Sequence, residues 1–362
     1  MTGPTVVTGP TVLLTGGSGV VGSALLQHLD GRPVVALTHR KPVTGDAIRG
    51  DVTRPWLGLD PDDYRRLAAR VDVVVHSAGS VDFGATPDRL HALNVRGTGH
   101  VLRFAADAGA RLVYVSSAFV DRAESFAQVE RQSNGRAITL SAYVRSKATA
   151  ETMVRESGLP TAIARLSTVI GDSGTGRIAR LQAFHYLLGT AMHGMLPFLP
   201  AEAGTRADLI PQDTAAAALA ALATTDTSTG TGDYWITAGP AALPISRVID
   251  IGHQVAVEWL RRDPARRAMA TELFKPRLTS PETSDAVIAL VLAQAGPDAR
   301  PSVISHLTGL MAAFNGAELF PTSLATIPGG PPAPTEDAVE RALTAMCHHL
   351  AGLPKELWNP SP

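Results

Sequence analysis

Short apolar runs recur through the first half of the chain, at residues 11–14, 34–37, 71–75, 112–115 and 161–164. The segments between them are long enough for crossover helices, and such alternation predicts a parallel sheet covered on both faces. After the first run, Val21, Leu25, Leu26 and Leu29 fall at helical spacing, so the chain opens as strand, loop, helix. Beyond Asp213 the pattern changes to alanine-rich helices, interrupted by the polar stretch 224–233 and the proline-rich stretch 328–334. The expected fold class is α/β, a Rossmann-type doubly wound parallel sheet with a smaller, mainly helical C-terminal substrate-binding region. Its expected division is a tail over 1–10, a dinucleotide-binding domain over 11–170, and a substrate region over 171–362 interleaved with the end of the sheet. Residues 5–9 echo 11–16, but Pro10 follows them and no glycine-rich turn does, so they read as tail.

The loop between the first strand and helix is Thr15-Gly-Gly-Ser-Gly-Val-Val-Gly22. Gly16, Gly19 and Gly22 allow a tight turn, close backbone approach to a pyrophosphate and close helix packing. Ser18, Val20 and Val21 would bring backbone donors to the phosphates at the helix N-terminus. The second strand ends Leu37-Thr-His-Arg-Lys41, with no acid to receive the ribose hydroxyl of NAD. Arg40 and Lys41 can hold a 2′-phosphate there, which favours NADP(H); as two solvated surface cations they would carry no such meaning. Asp51 and Val52, after the next strand, are placed to meet the adenine, and Ser77, Ala78 and Gly79 would line the cofactor's edge with small residues.

Composition narrows the partners. Lysine plus arginine number 32 against 33 acids, so no global field favours nucleic acid or an anionic membrane. A single cysteine, Cys347, excludes an internal disulfide. The first ten residues lack the basic start and apolar stretch of a signal peptide, and no run reaches the roughly 18 apolar residues of a membrane span. A cytoplasmic protein with a small, locally recognised substrate is the expectation; oligomeric state is not readable.

Candidate chemistry centres on Ser141-Ala-Tyr-Val-Arg-Ser-Lys147. At i and i+4 on a helix, the Lys147 ammonium can sit beneath the Tyr143 phenol and stabilise its phenolate. A phenol of ordinary pKa, about 10, is otherwise a poor acid or base at neutral pH. Ser117 closes the strand Leu112-Val-Tyr-Val-Ser-Ser117, on the carboxyl side of the sheet where open α/β proteins bind ligands, and can donate to a substrate oxygen.

Serine, tyrosine and lysine in this order, behind a glycine-rich turn, resemble the extended short-chain dehydrogenases/reductases. Within them, Gly50-Asp-Val-Thr-Arg-Pro-Trp-Leu-Gly-Leu59, Val73-Val-Val-His-Ser-Ala-Gly-Ser-Val-Asp-Phe83, Leu93-Asn-Val-Arg-Gly-Thr98 and the segment from Arg165 to Gly176 resemble the thioester reductase and fatty acyl-CoA reductase branch. The likeness covers residues 11–220; further on, Leu319-Phe-Pro-Thr-Ser323 is similar to bacterial acyl reductases. It implies that Tyr143 donates the proton, Lys147 lowers its pKa and binds the nicotinamide ribose, and Ser117 polarises the carbonyl. It also adds Leu166 and Val169 to the cofactor site. Ser117 stands where threonine is frequent, and Gly79 where alanine is frequent. With no carrier domain adjoining, the acyl group is expected from acyl-CoA or a separate acyl or peptidyl carrier protein.

The expected activity is therefore NADPH-dependent reduction of an acyl thioester to an aldehyde or alcohol. Ketone or hydroxysteroid oxidoreduction, nucleotide-sugar epimerisation or dehydration, and non-catalytic dinucleotide binding are the alternatives. Phe184, Tyr186, Leu187, Met192, Met195 and Phe198 offer apolar area for an acyl channel or for an ordinary core, and Gly174, Gly176, Gly189 and Gly194 would let that wall move. Gly171-Asp-Ser-Gly174 echoes a serine-protease motif without its partners. Cys347-His348-His349 points three ways on a helix and is not expected to hold a metal. His76 reads as a hydrogen-bonded structural histidine.

Overall fold

The computed structural model describes residues 9–82, 85–132, 140–202, 204–225, 231–280, 283 and 318–358. Residues 1–8 of the expected tail and 226–230 of the polar stretch lie outside the described residues.

Seven parallel strands form the sheet: β1 (Val12–Thr15), β2 (Val34–Thr38), β3 (Ala47–Arg49), β4 (Val73–His76), β5 (Arg111–Ser117), β6 (Thr161–Leu166) and β7 (Gly232–Ile236). Their order is β7-β6-β5-β4-β1-β2-β3. The chain runs outward in one direction from β1 to β3, then crosses back to β4 and outward the other way. That reversal makes the β1/β4 boundary the switch point at whose carboxyl side a ligand fits. Register sets Thr15 of β1 beside His76 of β4, and His76 beside Tyr114 of β5, in one row across the sheet.

Alternate residues of the buried strands feed two cores. Val12, Leu14, Val73, Val75, Val113 and Val115 pack against α1 (Val20–His28) and the alanine-rich α7 (Gln212–Thr224). Leu13, Val35, Val74, Leu112 and Tyr114 pack against the opposite layer, formed by α2 (Pro61–Ala68), α3 (Gly97–Ala108) and α5 (Leu140–Glu156). A third core lies in the C-terminal region, where α6 (Ala183–Met192), α8 (Ile245–Arg262) and α9 (Glu336–Ala351) meet Phe119, Phe126 of α4 (Ala123–Gln132), and Tyr143.

The sheet is not finished by residue 170. Both α7 and β7 return to it from the later half, so the later half of the chain is threaded through the edge of the sheet. Two of the glycines read as hinges, Gly176 and Gly189, sit in close packing. A Cβ on Gly189 would lie 2.2 Å from Cζ3 of Trp358, and one on Gly176 would lie 2.1 Å from the carbonyl oxygen of Ala345. They mark close packing of the α6 and α9 layer rather than freedom of movement.

Candidate active site

The glycine turn has the shape its sequence predicts. Gly16 has φ +78°, and a Cβ there would stand 2.6 Å from the backbone nitrogen of Ala78. A Cβ on Gly22 would stand 2.2 Å from the Gly16 oxygen. Any side chain at either place would fill the cradle. Gly19 begins α1 with no side-chain cap, which leaves the first helical N–H groups, those following Ser18 and including Val20 and Val21, suited to an anion. These features fit a dinucleotide phosphate.

At the end of β2, Arg40 and Lys41 are both exposed. Lys41 lines an open cleft together with Gly17 and Ser18; Arg40 is not part of that lining. The Asp51 carboxylate accepts from the amide and hydroxyl of Thr53 at 2.9 and 2.7 Å. Burial pushes its pKa up, but Thr53, His39 and Arg54 outweigh that and hold it below the usual range. The Val52 side chain is buried, and its carbonyl accepts from Nδ1 of His100 at 2.9 Å. The backbone following is left-handed at Trp56 and Leu57, with φ of 55° and 58°. Leu57 is buried there while Trp56 remains exposed.

After β4, the Ala78 amide donates to Thr15 Oγ1 at 3.1 Å, which pins the loop containing Ser77 to the glycine turn. Asn94 holds the next residues. It lies in a π-helical turn, His91–Arg96, a feature that often marks functional positions. Its Oδ1 accepts from the Ser80 amide at 2.7 Å, and its Nδ2 donates to the Ser80 carbonyl and to Ser146 Oγ. Ser146 Oγ donates to the Tyr143 carbonyl at 2.7 Å. Asn94 thus ties the loop after β4 to the helix that carries Tyr143. The sequence carried a signal for it, since a polar residue within Leu93-Asn-Val-Arg-Gly-Thr98 faces the core. Gly79 also has its reason here: a Cβ would come within 3.0 Å of Asn94 Oδ1 and 3.7 Å of Lys147 Nζ.

Ser117, Tyr143 and Lys147 are brought together, all buried, where β5 ends against α5. Ser117 Oγ accepts from the Phe119 amide at 3.3 Å and stands beside the Tyr143 hydroxyl. Burial pushes the Tyr143 phenol up to about 12, and Ser117 opposes that rise. The Lys147 ammonium departs from expectation. It donates to the Val115 carbonyl at 2.8 Å and to the Tyr114 hydroxyl at 3.3 Å, turned toward β5. Burial draws its pKa down to about 8, with Glu151 opposing. Leu166 and Val169 are buried at the carboxyl side of β6, within the core shared with α1 and α7.

The other sequence signals are absorbed structurally. His76 is bonded at both ring nitrogens, and burial pushes it down to about 3. Asp172 accepts from Gly174 and Thr175 within its own turn, and Ser173 donates to Asp213. Cys347 is buried in the third core, which pushes its thiol up to about 12. Of the acyl-channel residues, Phe184, Leu187 and Met192 are buried in that core, whereas Tyr186 and Met195 are exposed, so this stretch does not present one apolar wall. Among the described residues no helix is long and apolar enough to cross a membrane.

Residues 38–219, half of the chain, match the model of the family described as male sterility protein. Glycine betaine reductase ATRR of Emericella nidulans is 32% identical over 186 residues, which are 49% of this chain and 14% of that protein. The hybrid PKS-NRPS synthetase poxE of Penicillium oxalicum is 28% identical over 226 residues, 55% of this chain and 6% of that protein. The chain spans only a small fraction of the length of these relatives. In fold it is similar to the terminal R domain from the myxalamid PKS-NRPS pathway, with a TM-score of 0.67 at 21% identity, covering 96% of this chain and 92% of that one. The reductase domain of a nonribosomal peptide synthetase from Mycobacterium tuberculosis gives 0.63 at 21% identity, covering 96% and 94%. With its seven-stranded Rossmann sheet and its serine, tyrosine and lysine gathered at the carboxyl end of β5, the chain belongs to the male sterility protein family, the thioester reductase-type branch of the extended short-chain dehydrogenases/reductases.

Proposed function

We propose that this protein uses NADPH to reduce an acyl thioester, carried by coenzyme A or by an acyl or peptidyl carrier protein, to an aldehyde or alcohol. The observation that carries the reading is that the Ser117 and Tyr143 hydroxyls are buried together with Lys147 at the end of β5 in a chain of this family. Two hydroxyls converging on one point suit a carbonyl oxygen that gains negative charge. When bound, the nicotinamide supplies a hydride to the carbonyl carbon. Ser117 and Tyr143 hold the resulting oxyanion, and its collapse expels the thiolate. Reduction of the free aldehyde takes the Tyr143 proton onto the new alkoxide. Burial suits the phenol to that role, because it keeps the proton on Tyr143 at neutral pH until an oxyanion forms beside it. Relatives described as a reductase and as a hybrid PKS-NRPS synthetase, and structural neighbours described as R domains, support a carrier-linked substrate.

The test is a panel of acyl-CoA and acyl-carrier thioesters, ketones and sugar nucleotides, each followed by NADPH consumption and product mass. Thioester turnover to aldehyde or alcohol is expected; turnover of ketones or sugar nucleotides alone would overturn the reading. For the cofactor, the place of Lys41 in the open cleft that Ser18 also lines leads us to expect that Lys41→Ala weakens NADPH about tenfold and leaves NADH unchanged. Equal binding of NADH and NADPH by the wild type would show that the loop after β2 reads no phosphate.

A further inference from the structure

A row of buried polar side chains, Thr15, His76, Thr98 and Tyr114, lies between the glycine turn and Lys147, and the proposed chemistry does not use it. It follows the row that register sets across β1, β4 and β5. Its polarity can be worked out by counting donors. Thr98 Oγ1 donates to the Asn94 carbonyl at 2.7 Å, so toward its other neighbours it accepts. His76 Nε2, 3.2 Å away, must therefore carry the ring proton and donate to Thr98. That leaves Nδ1 to accept from Thr15 Oγ1 at 2.7 Å, while Thr15 itself accepts from the Ala78 amide at 3.1 Å. Thr98 also stands beside the Tyr114 hydroxyl and opposes the upward push of burial on that phenol. Tyr114 Oη accepts from Lys147 Nζ at 3.3 Å, with Nζ 4.8 Å from the ring centroid.

We propose that Tyr114 is a positioning residue for Lys147, its phenol oxygen oriented by Thr98 and His76 as a fixed acceptor that keeps the buried ammonium charged and in place. The proposal rests on the reading of Lys147 as the cofactor-side cation of the site. An ammonium removed from water needs acceptors, and here the Val115 carbonyl and Tyr114 Oη supply two. The Tyr114 ring is part of the core, so a tyrosine that only filled space would serve equally well as phenylalanine.

The groups that titrate around Lys147 are few. On its own helix stand Tyr143 and Glu151; on β5 stands Tyr114 and on β4 His76. The π-helical turn and the loop after β4 offer Asn94 and Gly79, which do not titrate. Burial holds both phenols up and His76 down. Burial also raises Glu151, but Arg165, Ser116 and Arg155 outweigh it and keep the carboxyl low. Through neutral and mildly alkaline pH, Lys147 is thus the member of this group that changes charge. Removing an acceptor disfavours the ammonium, so its titration must move to lower pH.

The chain has four lysines, Lys41, Lys147, Lys275 and Lys355, which makes that titration directly observable. Lysine labelled with carbon-13 at the ε position is followed by NMR against pH, without cofactor or substrate, and Lys147→Met identifies the signal. In the wild type one signal should titrate near pH 8, apart from the other three. Tyr114→Phe should lower that midpoint by about one pH unit, a tenfold change, and leave the others in place. Thr98→Val, which keeps Tyr114 but removes its orienting partner, should give a smaller shift of the same sign. The alkaline limb of NADPH binding should move in parallel. An unchanged Lys147 midpoint in folded Tyr114→Phe overturns the proposal; if that variant does not fold, an unchanged midpoint in Thr98→Val does so. Failure of the wild type to bind NADPH would count against the proposed function and leave the lysine titration as the test.

Discussion

At the scale of single residues, burial and one neighbour set the phenol of Tyr143, the proton donor of the proposed reaction. Burial holds the phenol at about 12, and the Ser117 hydroxyl draws it the other way. Tyr143→Phe keeps the ring in its core and removes the proton. Turnover should fall by about 10²–10⁴-fold while NADPH affinity stays nearly unchanged. Ser117→Ala should cost about 10²–10³-fold in kcat, since one of the two oxyanion donors is lost. Steady-state kinetics and cofactor titration of each variant check both, and wild-type turnover by Tyr143→Phe would exclude its role as donor. The i, i+4 spacing correctly places Tyr143 and Lys147 on one helix, because helical period is a local property. It does not give the direction of the ammonium, which is decided by Tyr114 and Val115 more than 30 residues earlier on another element.

At the scale of elements, α5, the helix of Tyr143 and Lys147, is fastened one turn beyond Lys147. The Glu151 carboxylate accepts from Arg165 Nε and Nη2 at 3.0 and 2.7 Å, from Ser116 Oγ at 2.6 Å and from Arg155 at 3.0 Å. This joins α5 to β5 and β6. Glu151→Ala would leave Arg165 without its bidentate partner, at a cost of about 3–5 kcal/mol. Because the folded carboxyl is held low, its contribution is complete above the unfolded value of about 4.3 and disappears as pH falls through the folded value. Chemical denaturation should therefore separate wild type from variant at pH 7 and bring them together in acid; an equal gap at both would contradict the linkage. The buried strands were legible because β1, β4 and β5 each contain an unbroken apolar run, residues 12–14, 73–75 and 112–115. The edge strand β7 was not, since Gly232-Asp-Tyr-Trp-Ile236 begins exposed and alternates little. Gly189 was misread for a different reason: its partner Trp358 is 169 positions further along the chain (358 − 189). Gly189→Ala should destabilise the protein by about 1–3 kcal/mol through the clash with Trp358, against a helix-propensity gain of about 1 kcal/mol. In a Trp358→Ala background the same change should become neutral or stabilising, and simple additivity in thermal melts would refute the wedge.

At the scale of the whole molecule, the strand order puts the cofactor turn and Ser117 on the same carboxyl side of the sheet, so substrate must approach over that edge. What forms the opposite wall is the question on which sequence and structure differ most. Apolar composition between residues 184 and 198 is equally compatible with a channel and with a core, because hydropathy does not say which surface an apolar side chain meets. Burial decides for Phe184: it is 3% exposed and packs among α6, α8 and α9. Removing its ring should cost about 3–5 kcal/mol of stability. If an acyl chain were seated on Phe184, each methylene would add about 0.8 kcal/mol to binding and the mutation would flatten the dependence of kcat/KM on chain length. The packing leads to the opposite expectation. Phe184→Ala should lower Tm clearly while the slope of log kcat/KM across a homologous series of acyl thioesters stays that of the wild type. Both are measured on one preparation, below the variant's melting range. A flattened series with an unchanged Tm would return Phe184 to the substrate wall and place the channel between α6 and its neighbours after all.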